Sequence, residues 1–309
     1  MIRQIPIYQN RRGIQREVYS FVMSYVDKQE INKIADIFAG TASISIPFFR
    51  HAKEITLNDK YKFLFYYLSV YTKKLNSDSA LELKFAIDEI KNVELYKGGI
   101  YNNFSRGIKK SFFGEHDAVK IDSIHKYLHE NKVFFRDEVF NALYGTFIYS
   151  VYKASNIKNG YFYIKSKSDT ADDNVFNLNY LEPNEYFKNM NIKVLNYDYK
   201  DFIKSHSGDL LIIDPPINRK NLTLYYPLEY LAQNPYDGVQ SLYYEDEFSY
   251  LNKKYINSLL ALIKRASYKY ILLYLDKRVY EMFPKLFFEM FIYHELQIKN
   301  DYLVLLEKI

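Results

Sequence analysis

Short apolar runs alternate with helix-period stretches on either side of a central segment of different character. Residues 33–38 are a β-branched run that leads into Ala39-Gly40-Thr41-Ala42-Ser43 and then a helical stretch. A second short strand at 54–57 is closed by Asn58-Asp59, and Asp59 opens an amphipathic helix that continues to about residue 74. Beyond the central segment, 191–195 and 209–213 read as strands, 245–266 as a helix and 269–275 as a strand. Strands separated by helices imply a parallel sheet. The end of the chain breaks this rhythm. Residues 287–295 and 302–307 are strand-like and joined through Lys299-Asn300-Asp301, too short for a crossover helix, so they are expected to pair antiparallel at one sheet edge.

Composition narrows the chemistry. The 309 residues include no Cys, which removes disulfide frameworks, cysteine zinc sites, iron–sulfur clusters and thiol nucleophiles together. The N-terminal ten residues lack an apolar run between a basic start and a cleavage site, and no stretch approaches the roughly 20 apolar residues needed to span a bilayer. The expectation is a cytoplasmic protein with no membrane partner. The 33 Tyr and 23 Phe carry little by themselves, because an AT-rich genome enriches Tyr, Ile, Asn and Lys without any site being involved.

The net charge of +5 is unevenly spread: residues 91–168 hold 13 Lys or Arg against 7 Asp or Glu. In this stretch Arg106, Lys109 and Lys110 are interleaved with Tyr101, Phe104, Phe112 and Phe113, while Gly98-Gly99, Gly107 and Gly114 interrupt any long helix. Such a pattern suits phosphate contact and base stacking, and equally a solvated surface over core aromatics.

Two constellations point to chemistry. In Asp36-Ile37-Phe38-Ala39-Gly40-Thr41-Ala42-Ser43 a strand ends in a turn of small residues that lets a ligand approach the backbone. Asp59, at the end of the next strand, is placed to accept hydrogen bonds from both ribose hydroxyls of a nucleoside. No Walker lysine and no three-glycine pattern is present, so a nucleoside without a phosphate chain fits best. The second constellation is Asp214-Pro215-Pro216, which follows the buried strand Leu210-Leu211-Ile212-Ile213. Two prolines fix the backbone and lack N–H donors, leaving carbonyls to accept. A carboxylate beside a fixed carbonyl can grip an NH2 group and favour its pyramidal, nucleophilic form. The plain alternatives are an Asp59 that merely begins the helix after Asn58, which does not explain the pair with Asp36, and an Asp-Pro-Pro that is only a turn after a strand.

Weaker candidates are Asp122, His125 and His129, spaced as one helix face with metal-ligating residue types, though a polar stripe explains them better and no metal is expected. No Ser, His and acid arrangement has nucleophile-elbow spacing.

Together, Asp36-Ile-Phe-Ala-Gly-Thr-Ala-Ser, Leu57-Asn58-Asp59-Lys60-Tyr61, Asn196-Tyr197-Asp198-Tyr199 and Asp214-Pro-Pro resemble the ordered motifs of the D12 class, or Dam-like, adenine-N6 DNA methyltransferases. The resemblance implies an α/β fold with a Rossmann-like seven-stranded sheet, a C-terminal antiparallel hairpin and an inserted, mainly helical target-recognition domain. The methyltransferase domain would comprise 1–74 and 191–309, and the insert 75–190. By the same resemblance Asp36, Phe38, Ala39 and Gly40 line the methionine end of S-adenosylmethionine, Asp59 holds its ribose, and Asp198 with Tyr199 its adenine. Asp214, Pro215 and Pro216 form the catalytic loop, with Asp214 and the Pro215 carbonyl on the target amine. Double-stranded DNA is the implied partner, extruding its adenine before transfer, and a cognate restriction enzyme is a further one.

The sequence departs from the family pattern at three places. Ile217 stands where the fourth motif ends in a base-stacking aromatic, with Tyr225 and Tyr226 as the nearest substitutes. Ala42 replaces the second glycine of the first motif. Gln9-Asn10-Arg11-Arg12-Gly13 replaces a Gly-Gly-Lys segment that touches the cofactor carboxylate, leaving Arg11 or Arg12 to supply that charge. Two rival readings follow: a degenerate methyltransferase fold that binds DNA without reacting, and methylation of RNA or another amine acceptor.

Overall fold

The structure, a computed structural model, describes residues 11–105, 112–158, 161–162, 176–178, 180–183, 185–187, 189–216, 225–233 and 251–308. The chain divides into two compact units. The first is built from Gln9–Lys60, Asn189–Lys220 and Tyr244–Ile309, the second from Met1–Tyr8, Tyr61–Lys188 and Asn221–Tyr243.

The first unit contains a seven-stranded sheet. Its strands are β1 (Lys33–Asp36), β2 (Glu54–Asn58), β3 (Ile192–Leu195), β4 (Ser207–Ile213), β5 (Ser267–Asp276), β6 (Ile292–Ile298) and β7 (Asp301–Glu307). Their spatial order is β3-β2-β1-β4-β5-β7-β6. The first five run parallel, and β7 pairs antiparallel with both β5 and β6. Strand order reverses between β1 and β4, where Asp36 lies opposite Ile212.

Alternation along the strands explains why both faces are covered. Ile34, Leu210, Ile212, Leu272 and Leu303 point to one face, where Val18, Phe21 and Val22 of the helix Gln15–Met23 meet them. Ala35, Leu211, Ile213, Leu273 and Val304 point to the other, against Tyr255, Leu259 and Ile263 of the helix Lys253–Arg265. The apolar run ending β4 is therefore apolar throughout because each residue has a core to enter.

Several expected boundaries move. The stretch after Ser43 is not a helix proper but a single 3-10 turn, Ile46–Phe48, with Pro47 contributing no N–H and β2 beginning at Glu54. Asp59 does not open the next helix, which runs Lys62–Thr72 with Tyr61 at its cap. The expected strand at 287–295 starts later: Lys285–Phe288 is helical and β6 spans Ile292–Ile298. Pro284 supplies the extended N-cap of this helical turn, and Phe287 and Phe288 bury their rings in the sheet-face core beside Phe283, centroids 5.9 Å from Phe283 to Phe287. The hairpin turn is tight, with Lys299 at φ 56°. Of the helix expected at 245–266, Lys253–Arg265 is observed, and 245–250 lie outside the described residues.

The second unit is mainly helical, with Lys62–Thr72, Ser77–Ile90, Gly99–Phe104, Glu115–Glu130, Asp137–Ala154 and Tyr226–Gln233, plus a short antiparallel pair, Ile157–Lys158 with Tyr161–Phe162. It takes in Tyr61–Lys188, and Lys62–Thr72 packs on Asp137–Ala154 through Tyr66 and Tyr144, whose rings are 4.4 Å apart. Buried Glu229 accepts the Lys62 and Phe63 N–H groups at 3.1 and 3.0 Å and so caps that helix from outside. Phe104 and Phe113 are buried, and Phe104 meets Tyr226 and Tyr230, so these rings build the unit's core. Arg106, Lys109 and Lys110 lie outside the described residues. No helix among the described residues is long and apolar enough to cross a membrane.

Candidate functional site

Loops leaving the carboxyl ends of β1, β2, β3 and β4 carry the residues singled out by sequence. Parallel pairing of these strands puts their ends on one edge of the sheet, where doubly wound sheets place their ligands. Asn58 ties three of the loops together. Its amide donates to the carbonyls of Ile37 at 3.2 Å and Tyr197 at 3.1 Å, and its carbonyl accepts the Tyr197 N–H at 3.0 Å. Asn196 adds a second tie, donating to the Asp59 and Lys60 carbonyls at 2.8 and 2.9 Å. Sequence reasoning gave neither asparagine a role. The signal available was that each adjoins a motif acid or aromatic at a strand end.

The turn after β1 has an unusual backbone. Gly40 lies at φ 54° and Ala42 at φ 58°, both in the left-handed region. The Gly40 N–H is donated to the Asp59 carboxylate at 2.9 Å, so the first and second motifs touch directly. Asp36, 2% exposed, sits at the base of this turn. Burial first, opposed by a hydrogen bond from Ser45 and reinforced by the charges of Asp214 and Asp59, pushes its carboxyl up to about 7. Its Oδ1 has no hydrogen-bond partner among the described residues. A buried acceptor with no partner costs free energy unless a ligand supplies one.

On the β3 side, Asp198 is exposed and caps the helix Tyr199–Ser205 by accepting the Lys200 N–H at 2.9 Å. Tyr199 turns inward to the core, its ring 5.8 Å from that of Phe38. Phe38 is partly buried on the same cluster. Tyr197, at 47% exposed, is the aromatic of this loop that faces solvent.

Asp214 follows β4 directly, and Pro215 is buried behind it. Its carboxylate is held by Arg11: Nε donates to Oδ2 at 3.2 Å and Nη2 to Oδ1 at 3.3 Å. Burial raises the Asp214 carboxyl above its ordinary range, Arg11 pulls it back down, and Asp301 raises it again. Of the two arginines expected to supply charge, Arg11 is thus engaged on Asp214. Ile217 and the Arg12 side chain lie outside the described residues. Tyr225 stacks on Phe63 with centroids 5.9 Å apart, and Tyr226 lies 5.7 Å from Phe104, so both rings are engaged in the helical unit.

The polar stripe of the helix Glu115–Glu130 is structural. Asp122 accepts the Gly98, Ile100 and Tyr101 N–H groups at 2.7, 2.9 and 2.8 Å, and His125 Nε2 lies 2.9 Å from the Leu231 carbonyl. No group of three or more metal-ligating side chains occurs among the described residues.

Strand order, the small-residue turn and the acids at the ends of β1, β2 and β4 define a Rossmann-like α/β protein with its acids gathered where such sheets place ligands. The model of the D12 class N6 adenine-specific DNA methyltransferases matches residues 13–290, and the chain belongs to that family. It is 25% identical over 201 residues to the type II methyltransferase M.NlaIII of Neisseria lactamica, covering 62% of this chain and 58% of that one. To the type II methyltransferase M.FokI of Planomicrobium okeanokoites it is 26% identical over 265 residues, covering 79% of this chain and 40% of the other. The chain thus spans 58% and 40% of the lengths of these relatives. Among solved structures, the rRNA methylase from Escherichia coli is similar at 8% identity and a TM-score of 0.35, covering 97% of this chain and 66% of that one.

Proposed function

We propose that this protein transfers a methyl group from S-adenosylmethionine to adenine N6 at a specific sequence in double-stranded DNA. The observation that carries the reading is the adjacency of two loops: the turn at 37–43 and the Asp214-Pro215-Pro216 segment leave neighbouring parallel strands at the point where strand order reverses. One loop suits a nucleoside and the other an amine.

The cofactor supplies a methyl group made electrophilic by a positively charged sulfur. Residues of this chain fit such a group. The unpartnered Oδ1 of buried Asp36 suits a cationic ligand, Gly40 leaves the turn open to close approach, and Asp59 suits a ribose. Phe38 and Ala39 would line the methionine end. Asp198 would border the adenine, with Tyr199 supporting that wall from the core.

Asp214 and the Pro215 carbonyl would accept the two hydrogens of the target amine, localising its lone pair as the new N–C bond forms. Pro216 keeps the segment rigid, so the amine is met by a fixed geometry. The helical insert at 75–190 would read the DNA target, and the action would be cytoplasmic, with a restriction enzyme as an associated partner.

The test is incubation with tritiated S-adenosylmethionine and mixed genomic DNA, followed by nucleoside analysis. Label in N6-methyladenine supports the reading. In the Asp214→Ala variant, cofactor binding should stay near the wild-type value while transfer disappears, and transfer at the normal rate would remove Asp214 from its role. A methyltransferase fold that binds DNA without reacting is the second reading, favoured by Ile217 in place of a stacking aromatic. It expects DNA retention and no label. Label in RNA instead of DNA would redirect the acceptor.

A further inference from the structure

Arg11 is held on more sides than an ion pair needs. Its backbone N–H is donated to Ser43 Oγ at 3.3 Å, which fastens the 3-10 turn Arg11–Ile14 to the loop after β1. Beyond its two bonds to Asp214, Nη1 is donated to Asp301 Oδ2 at 3.4 Å, and the guanidinium carbon lies 3.9 Å from the centre of the Tyr274 ring. The Tyr274 hydroxyl in turn donates to the same Asp301 oxygen at 2.6 Å. Asp301 begins β7 and Tyr274 lies on β5, so the antiparallel end of the sheet reaches the acid at the end of β4 through one arginine.

An unsupported arginine has many rotamers, whereas a carboxylate that must meet a small amine needs one orientation. A ring platform under the guanidinium and a second carboxylate at its far nitrogen remove most of that freedom. We propose that Asp301 and Tyr274 are positioning residues for methyl transfer: they seat Arg11 so that it holds the Asp214 carboxylate ionised and aimed at the acceptor amine. This rests on the reading that Asp214 meets that amine.

Among the described residues, the groups facing Asp214 are Arg11 from the N-terminal turn, Asp36 from β1, Asp301 from β7, Tyr274 from β5 and Tyr255 from the helix Lys253–Arg265. Asp301 therefore acts on Asp214 in two opposed ways: as a like charge that favours protonation, and as a seat for the cation that opposes it. Two substitutions separate them. Asp301→Ala removes both, and Asp301→Asn removes the charge while keeping an acceptor for Nη1.

The measurement is a carbon-13 carboxyl titration of Asp214 by NMR, assigned with Asp214→Asn, alongside the pH profile of kcat. With Asp301 as a seat, Asp301→Ala moves the Asp214 midpoint and the acid limb of kcat upward by about half a pH unit, roughly threefold in rate on the acid side. Asp301→Asn leaves both at or below the wild-type position, and KM for cofactor and DNA stays within about twofold in either variant. Midpoints that fall alike in both variants, or do not move, overturn the proposal. Should Asp301→Ala fail to fold, Tyr274→Phe and Tyr274→Leu decide: the ring-preserving change must disturb the midpoint less than the ring-removing one, and equal effects overturn it. The carboxyl titration is independent of turnover, so a failure of Asp214 as amine acceptor is registered separately, by transfer persisting in Asp214→Ala.

Discussion

The carboxylate of Asp59 accepts the backbone N–H of Gly40 at 2.9 Å, so the acid expected to hold a ribose also holds the turn that would sit beside the cofactor. One side chain then shapes the loop and, in the proposed role, would also meet the ligand. Replacing it by Asn keeps an acceptor for Gly40 and removes the charge, whereas Ala removes both. Asp59→Asn is expected to weaken S-adenosylmethionine binding about tenfold with little change in melting temperature, and Asp59→Ala to weaken it further and lower the melting temperature. Calorimetric titration and thermal melting of the two variants check this. Equal losses of affinity with equal stability would separate the turn from the ligand.

Asp36 makes stability depend on pH in an unusual direction. With its carboxyl pushed up to about 7, the folded protein holds a proton between about pH 4 and 7 that the unfolded chain has released. Stability from this group is full below about pH 4, falls as pH rises through that window, and is level above it. The loss is on the order of a few kcal/mol. In Asp36→Asn this fall should vanish, so the melting temperatures at pH 5 and pH 8 draw together, while affinity for the cationic cofactor drops. An unchanged difference between the two pH values would mean that the acid is ionised throughout.

Much of the fold was legible because its signals are local. The apolar run Leu210-Leu211-Ile212-Ile213 can only be a strand with both faces covered, and the Lys299 turn is too short for anything except antiparallel pairing. Order of motifs then placed Asp36, Asp59 and Asp214 at neighbouring strand ends. What was not legible depends on contacts between distant residues. Phe287 and Phe288 sit in a helical turn rather than a strand because a core is there to receive both rings. Arg11 and Asp214 are 203 residues apart, and nothing in the local sequence of either selects the other. Tyr199 resembles a ligand-facing aromatic by position, yet helix geometry after the Asp198 cap turns it into the core.

Ala42 tests whether the cofactor-side turn is strained. A non-glycine residue at φ 58° suffers a steric penalty of about 1 kcal/mol, because Cβ crowds the following carbonyl. Ala42→Gly relieves this and makes the unfolded chain more flexible, two effects of similar size and opposite sign. The expected net change is within about 1 kcal/mol of zero. Ala42→Val adds a branched Cβ in the same conformation inside a fully packed site, and should destabilise by more than about 2 kcal/mol. Denaturant unfolding of the pair measures the difference. A tolerated valine would show that the turn adopts another conformation.

Gly145 lies within the helix Asp137–Ala154, where alanine would ordinarily be favoured by about 1 kcal/mol. Here a Cβ would clash with the Tyr66 carbonyl oxygen and a Val70 methyl. The oxygen belongs to the backbone of the helix Lys62–Thr72 and cannot rotate away, so the two helices must separate. Overpacking of this kind costs about 1–3 kcal/mol, which exceeds the gain in helix propensity. Gly145→Ala is therefore expected to lower stability although it replaces the poorest ordinary helix former with the best. The sheet residues assigned to the cofactor are untouched, so S-adenosylmethionine affinity at 10 °C should stay within about twofold while the denaturation midpoint falls. A higher midpoint would mean that the glycine is not a contact point between these helices, and the assignment of Lys62–Thr72 to the helical unit would lose its physical basis.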